Sequence, residues 1–314
     1  MPLPDFLVIG VPKAGTTALH AALARHPDLF LPTVKEPKFF LSAGPPPARG
    51  GPGDAQTYQE RVWRPADYEA LFAPAPAHAL LGEATPFYLY DLDAQNRIKR
   101  LLPKARLVVL LRNPVDRAHS NWTHLWAAGL EPERDFVRAC ALEEPRREAG
   151  WAHFWHYVSQ GLYGAQLAHL LGLFSRDQVL LLRYRDLRED PAPTLDRVCE
   201  FLGVRIGLLD AVPSQNVTPF VADTSVNAAL RAALRTGGQI GHHFPVPVRQ
   251  VFRGPLLTAL RRQKGGRRPL TSTERKAVLP YFVDDIALLE EVTGLRYDDW
   301  LTAGLGPDVI DDGS

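Results

Sequence analysis

The sequence predicts one α/β domain built on a central parallel β-sheet flanked by helices, and three observations carry that expectation. Phe6-Leu7-Val8-Ile9 and residues 107–111 are short, apolar, partly β-branched runs, the profile of strands buried on both faces. Each runs directly into a turn and then a helical stretch: residues 10–15 before Thr16, and Arg112-Asn113-Pro114 before Val115. A third strand over 178–183 is followed by a helix over 192–202 that stops at Gly203. Such strand–loop–helix units gather their loops at the carboxyl edge of the sheet, where open α/β folds bind ligands.

The first of these loops makes the sheet P-loop-type. Gly10 and Gly15 have the separation of a phosphate loop, but the nucleoside-triphosphatase pattern G-x-x-x-x-G-K-[ST] needs Lys directly after the second Gly. Here Thr16 fills that position and Lys13 lies two residues before Gly15. Backbone N–H groups and the positive end of the following helix converge on the loop, and Lys13 adds a full charge. The plain alternative is a turn that only closes a βα unit. Lys13 with two hydroxyls, Thr16 and Thr17, is more than such a turn requires.

The second loop brings a cation to the same edge, with a guanidinium that merely caps a neighbouring acidic group as the plain alternative. Arg112 stands at the end of a strand, and Pro114 suits the first turn of the helix, where its missing N–H costs nothing. Ser120, two turns on, can face the same crevice. Arg117 is assigned to a solvated face or an ion pair.

Between the two loops lies Lys35-Glu36-Pro37-Lys38-Phe39-Phe40. Pro37 biases Glu36 towards extended backbone and sets its carboxylate beside aromatic rings. Partial desolvation there raises a carboxyl pKa and makes a better base; a solvated Lys-Glu turn is the equal alternative. Residues 43–57, rich in Gly and Pro, are expected to form a mobile loop. A short helix is expected over 68–72, then a strand from Ala79 running into a turn at Pro86 and carrying Glu83 and Thr85. Residues 205–268 show little periodicity and read as an irregular, lid-like region with His242 and His243. Lys264-Gly265-Gly266-Arg267 closes it as a basic anion clamp, before a helix that Thr271 or Ser272 can cap. The domain is expected to end near residue 305, with a disordered tail over 306–314.

Composition narrows the function. A length of 314 residues, 46% of them hydrophobic, allows a large core, and a net charge of +1 argues against a nucleic-acid partner bound through overall positive charge. Cys140 and Cys199 are too few for a disulfide framework or a four-thiolate zinc site. His119, His124, His153 and His156 lack metal-ligand spacing, so no metal is expected. No apolar run reaches the roughly 18 residues that would span a bilayer, and the chain is read as lacking a secretory leader. A cytoplasmic location is the resulting expectation.

These motifs together resemble the sulfotransferases that use 3′-phosphoadenosine-5′-phosphosulfate (PAPS), over roughly residues 5–301. PKAGTT resembles their 5′-phosphosulfate loop, which implies that Lys13, Ala14, Gly15, Thr16 and Thr17 hold that group and that Lys13 neutralises the leaving oxygen. LLRNPVDRAHS resembles their 3′-phosphate element, implying Arg112 and Ser120 as its ligands, with Lys264, Gly265 and Arg267 closing over it. K-E-P-x-F-F is similar to the segment that carries the catalytic glutamate in heparan sulfate sulfotransferases and their bacterial relatives, so the resemblance implies Glu36 as general base. Glu83 and Thr85, in Glu-x-[ST]-Pro, and Lys38 would then line the acceptor side. Lys38 stands where some glycan-modifying members have His, and Ala84 where they commonly have Lys. The implied acceptor is a carbohydrate-like or other natural product, and the implied product nucleotide is PAP. The rival readings are a nucleotide kinase-like transferase and a non-catalytic PAP-binding protein.

Overall fold

Five parallel strands line up in the order β2-β3-β1-β4-β5 in the computed structural model, which describes residues 2–45, 50–54, 61–213, 224–240, 256, 258 and 268–302. They are β1 (Phe6–Gly10), β2 (Leu29–Phe30), β3 (Leu80–Ala84), β4 (Arg106–Leu111) and β5 (Val179–Arg183). All of β1 and the last five residues of β4 are buried, because helices cover both faces and leave no polar side to alternate. This is the single α/β domain with a P-loop-type sheet that the sequence predicts.

The helices are α1 (Thr16–Leu23), α2 (Pro65–Ala70), α3 (Leu92–Leu101), α4 (Pro114–Ala127), α5 (Phe136–Ala141) and α6 (Glu143–Glu148), then α7 (Tyr163–Leu173), α8 (Tyr184–Glu189), α9 (Pro191–Leu202), α10 (Ser225–Ile240), α11 (Ser272–Val278) and α12 (Val283–Thr293). Their ends follow local chemistry. Asn113 caps α4, its Oδ1 accepting from the Val115 N–H at 3.0 Å, and Pro114 occupies the first turn. Thr271 and Glu274 form a capping box on α11. Gly203 ends α9 at φ 70°, a left-handed stop that glycine adopts without a side-chain clash. At Gly164, α7 meets α12 so closely that a Cβ would lie 2.4 Å from the Asp285 carbonyl oxygen. The Asp285 carboxylate in turn accepts from the Gly164 and Ala165 N–H groups at 2.7 and 3.0 Å.

The strand order fixes where a ligand can sit. The chain leaves β1 towards β2 on one side, and leaves β4 towards β5 on the other. The carboxyl ends of these adjacent strands therefore open a crevice. The backbone closes its floor: the Val11 N–H donates to the Leu110 carbonyl at 2.9 Å.

Three local expectations change. Residues 225–240, within the stretch expected to be irregular, form α10. Its buried positions include Asn227 and Arg231, so hydropathy conceals the helical face; Arg231 lies 3.9 Å over the Trp126 ring. Arg117 is wholly buried rather than solvated, donating to the Gln160 Oε1 at 3.1 Å and to the Tyr157 carbonyl. The far end of the Gly-rich loop is fixed on Asp54, which is fully buried and accepts from the Ala152 N–H and the Trp155 indole N–H, both at 2.8 Å.

Candidate active site

The loop after β1 leaves the start of α1 without a side-chain cap. Gly15 stands at the N-cap of α1 with φ 85° and offers no side-chain cap, so the first N–H groups of the helix keep their donors for something else. Lys13 is half-buried, Thr16 buried and Thr17 exposed, which places one cation and two hydroxyls around those donors. Ala14 is buried beneath them.

The loop after β4 lies against the loop after β1. Arg112, only 4% exposed, donates from Nη1 to the Lys13 carbonyl at 2.8 Å, and its guanidinium lies 4.8 Å over the Tyr184 ring. Ser120 is half-buried on α4. Lys264, Gly265 and Arg267 fall outside the described residues, as do His242 and His243. The next residue, Arg268, pairs with Glu274 at 2.6 Å and lies 5.1 Å over the Trp122 ring. Arg275 then pins α11 to α4 through the Asp116 carboxylate at 2.5 Å.

The Glu36 segment completes the cluster in a conformation the sequence does not announce. Among the described residues, the non-glycine positions with positive φ are Lys13 (71°), Glu36 (57°) and Lys38 (59°). L-residues adopt such angles only where their surroundings over-determine them, and these concentrate at functional sites. Instead of the extended backbone expected before Pro37, Glu36 turns left-handed. The turn is held from β3 and its loop: the Glu36 N–H donates to the Ala84 carbonyl at 3.1 Å, and the Lys38 N–H to the Thr85 Oγ1 at 3.3 Å. The Glu36 side chain keeps 28% of its surface and pairs with Lys35.

The desolvated carboxyl is Glu83. It has no exposed surface, and burial pushes its pKa up to about 7, against the pull of the Tyr68, Thr85 and Tyr88 hydroxyls and with a further push from the Glu36 charge. Tyr68 and Tyr88 donate to its Oε2 at 2.8 and 3.2 Å. Glu83 and Thr85, expected to line the acceptor side, are thus wholly buried with no surface open to a substrate, whereas Lys38 remains half-exposed.

This has a sign that stability can report. The folded pKa lies above the unfolded one, so Glu83 contributes fully while both states are protonated, and the contribution is lost as pH rises towards 7. The span corresponds to roughly 3 kcal/mol. Glu83→Gln should therefore cost clearly more stability at about pH 5 than at about pH 8, as measured by urea unfolding. An equal cost at both pH values contradicts the assignment.

Sequence reasoning missed three neighbours of this cluster. His20 lies one turn beyond Thr16 on α1; burial and then Lys35 hold its imidazole below the ordinary range, with Glu36 pulling the other way. The spacing of four from Thr16 is the signal that places both on one helix face. Tyr68 and Tyr88 carry no such signal, because neither shares a helix or strand face with Glu83, from which they stand fifteen and five positions away. Of the histidines expected to be structural, His119 packs edge-on against Phe136 at 5.1 Å, and His156 Nδ1 lies 2.7 Å from the Tyr90 hydroxyl.

Comparison with known proteins places this geometry. The model of the sulfotransferase family matches residues 4–207. The chain is 31% identical over 202 residues to heparan sulfate glucosamine 3-O-sulfotransferase 6 of Homo sapiens, covering 64% of this chain and 53% of that protein. It is 30% identical over 220 residues to bifunctional heparan sulfate N-deacetylase/N-sulfotransferase 4 of Mus musculus, covering 64% of this chain and 22% of that protein. The chain thus spans between about a fifth and about half the length of these curated relatives. A sulfotransferase from Alicyclobacillus acidocaldarius superposes with a TM-score of 0.74 at 26% identity, over 96% of this chain and 99% of that one. Among the described residues, no helix is long and apolar enough to cross a membrane. With the family match spanning well over half its length, the chain belongs to the PAPS-dependent sulfotransferase family.

Proposed function

We propose that this chain transfers the sulfuryl group of PAPS to a hydroxyl or amine of a carbohydrate-like or natural-product acceptor. The observation that carries the reading is the Arg112–Lys13 hydrogen bond, which sets the two anion motifs side by side at the β1/β4 crevice. The donor set fits a nucleotide with phosphate at both ends. Lys13, Thr16, Thr17 and the amides that open α1 suit the 5′ end; Arg112 and Ser120, with Lys264, Gly265 and Arg267, suit the 3′-phosphate. PAPS supplies the sulfuryl group. Glu36 takes the acceptor proton, and its partial exposure leaves it within reach of a substrate. Lys13 and the loop amides stabilise the charge that develops on the departing side, so the residues act by position and electrostatics. Lys38 lies at the acceptor edge, and Glu83 and Thr85 support that edge from below.

The test is sulfate transfer from labelled PAPS to a panel of heparan-type oligosaccharides, glycolipids and glycopeptides. The expected result is PAP release with label in at least one acceptor class. Phosphoryl transfer from ATP with Mg²⁺, and none from PAPS, overturns the reading.

A further inference from the structure

We infer that Glu83 is a positioning residue for the transfer reaction: through Tyr68 and Tyr88 it holds the Glu36–Lys38 turn in its left-handed conformation. This rests on the sulfotransferase reading for its chemistry, but its geometry stands apart from it.

The segment that carries Glu36 is clasped at alternate residues. The N–H groups of Glu36, Lys38 and Phe40 donate in turn to the Ala84 carbonyl, the Thr85 Oγ1 and the Tyr88 hydroxyl, the last at 3.4 Å. The Tyr88 hydroxyl donates its own hydrogen bond to Glu83 Oε2, so it accepts from the base segment and donates to the buried acid. Tyr68 donates to the same oxygen, and its ring stacks on Phe39 at 4.1 Å with an interplanar angle of 5°. Phe40 packs edge-on against both tyrosines, at 5.7 and 5.4 Å. The residues that follow Glu36 are thus oriented by two phenol groups, and both phenols are oriented by one carboxyl.

The left-handed turn needs such a hold. Two non-glycine residues within three positions carry strained φ angles, which persist only where the surroundings hold them. A fully buried carboxyl is itself costly, and packing alone does not call for one where leucine or methionine would fill the space. Its two phenol partners aim it at the base segment, and that direction is what an apolar replacement would lose.

The test uses the full chain and the variants Glu83→Gln, Tyr88→Phe, Glu36→Gln and Glu36→Gln/Tyr88→Phe. Turnover is read as PAPS hydrolysis, with water as the acceptor probe. In Tyr88→Phe and Glu83→Gln, kcat is expected to fall at least about tenfold while KM for PAPS stays within about twofold. Adding Tyr88→Phe to Glu36→Gln is expected to cost nothing further, because the two act as a unit. The second readout is independent of turnover: in a crystal structure of Tyr88→Phe, Glu36 and Lys38 are expected to leave positive φ. Retention of both left-handed angles in that crystal structure overturns the inference, as do additive losses in the double variant. Failure of the parent chain to bind PAP would instead remove the nucleotide reading and leave the crystallographic result to decide this one.

Discussion

Glu36→Gln is expected to turn PAPS over at least about a hundredfold more slowly than the parent chain, with an unchanged Kd for PAP. A positioned general base contributes on the order of 10²- to 10⁴-fold, and glutamine keeps the shape while losing the proton-accepting carboxylate. The backbone bond from the Glu36 N–H to Ala84 does not involve the side chain, so the turn should persist. The Lys35 partner is partly solvated, and loss of such a pair costs little stability. A fall in kcat with preserved nucleotide binding separates this role from a structural one. Turnover at the parent rate would remove Glu36 as the base.

Arg112→Ala is expected to weaken PAP binding about a hundredfold. Hydrogen bonds to charged groups contribute roughly 1.5–3 kcal/mol each, and Arg112 can supply a fork to a phosphate. The same side chain ties the Lys13 carbonyl and covers the Tyr184 ring, so its loss also loosens the neighbouring loop. Arg112→Lys should recover only part of the affinity, because a point charge cannot reproduce the planar fork. Calorimetric titration of PAP into each variant reads this directly. An unchanged Kd in Arg112→Ala would place the 3′-phosphate elsewhere.

Much of the fold was legible because its strands are buried on both faces. Such strands read as continuous apolar runs, and in β1, β4 and β5 each run ends at a loop or a helix start. The two loops to which anion binding is assigned were placed for the same reason: they sit at fixed offsets from a strand end, within one strand–loop–helix unit. The arrangement around Glu36 was not. Its left-handed backbone is imposed by Ala84, Thr85 and Tyr88, more than forty positions along the chain, and no local propensity encodes that. The burial of Glu83 was equally hidden, since a carboxylate after a strand ordinarily reads as a cap or a surface ligand. Helix α10 escaped although Leu230 and Leu234 recur at helical spacing, because Asn227 and Arg231 share its buried face and Gly237-Gly238 read as a break.

The most direct test of the paired-phosphate crevice is a thermal-shift titration of the parent chain with PAP, against ATP plus Mg²⁺ and against adenosine 5′-phosphosulfate. A ligand that binds only the folded state stabilises it by mass action, by about 2.7 kcal/mol at a hundredfold excess over Kd. The predicted result is a concentration-dependent rise in Tm with PAP, larger than with adenosine 5′-phosphosulfate and absent with ATP and Mg²⁺. A rise with ATP and Mg²⁺ and none with PAP would contradict it.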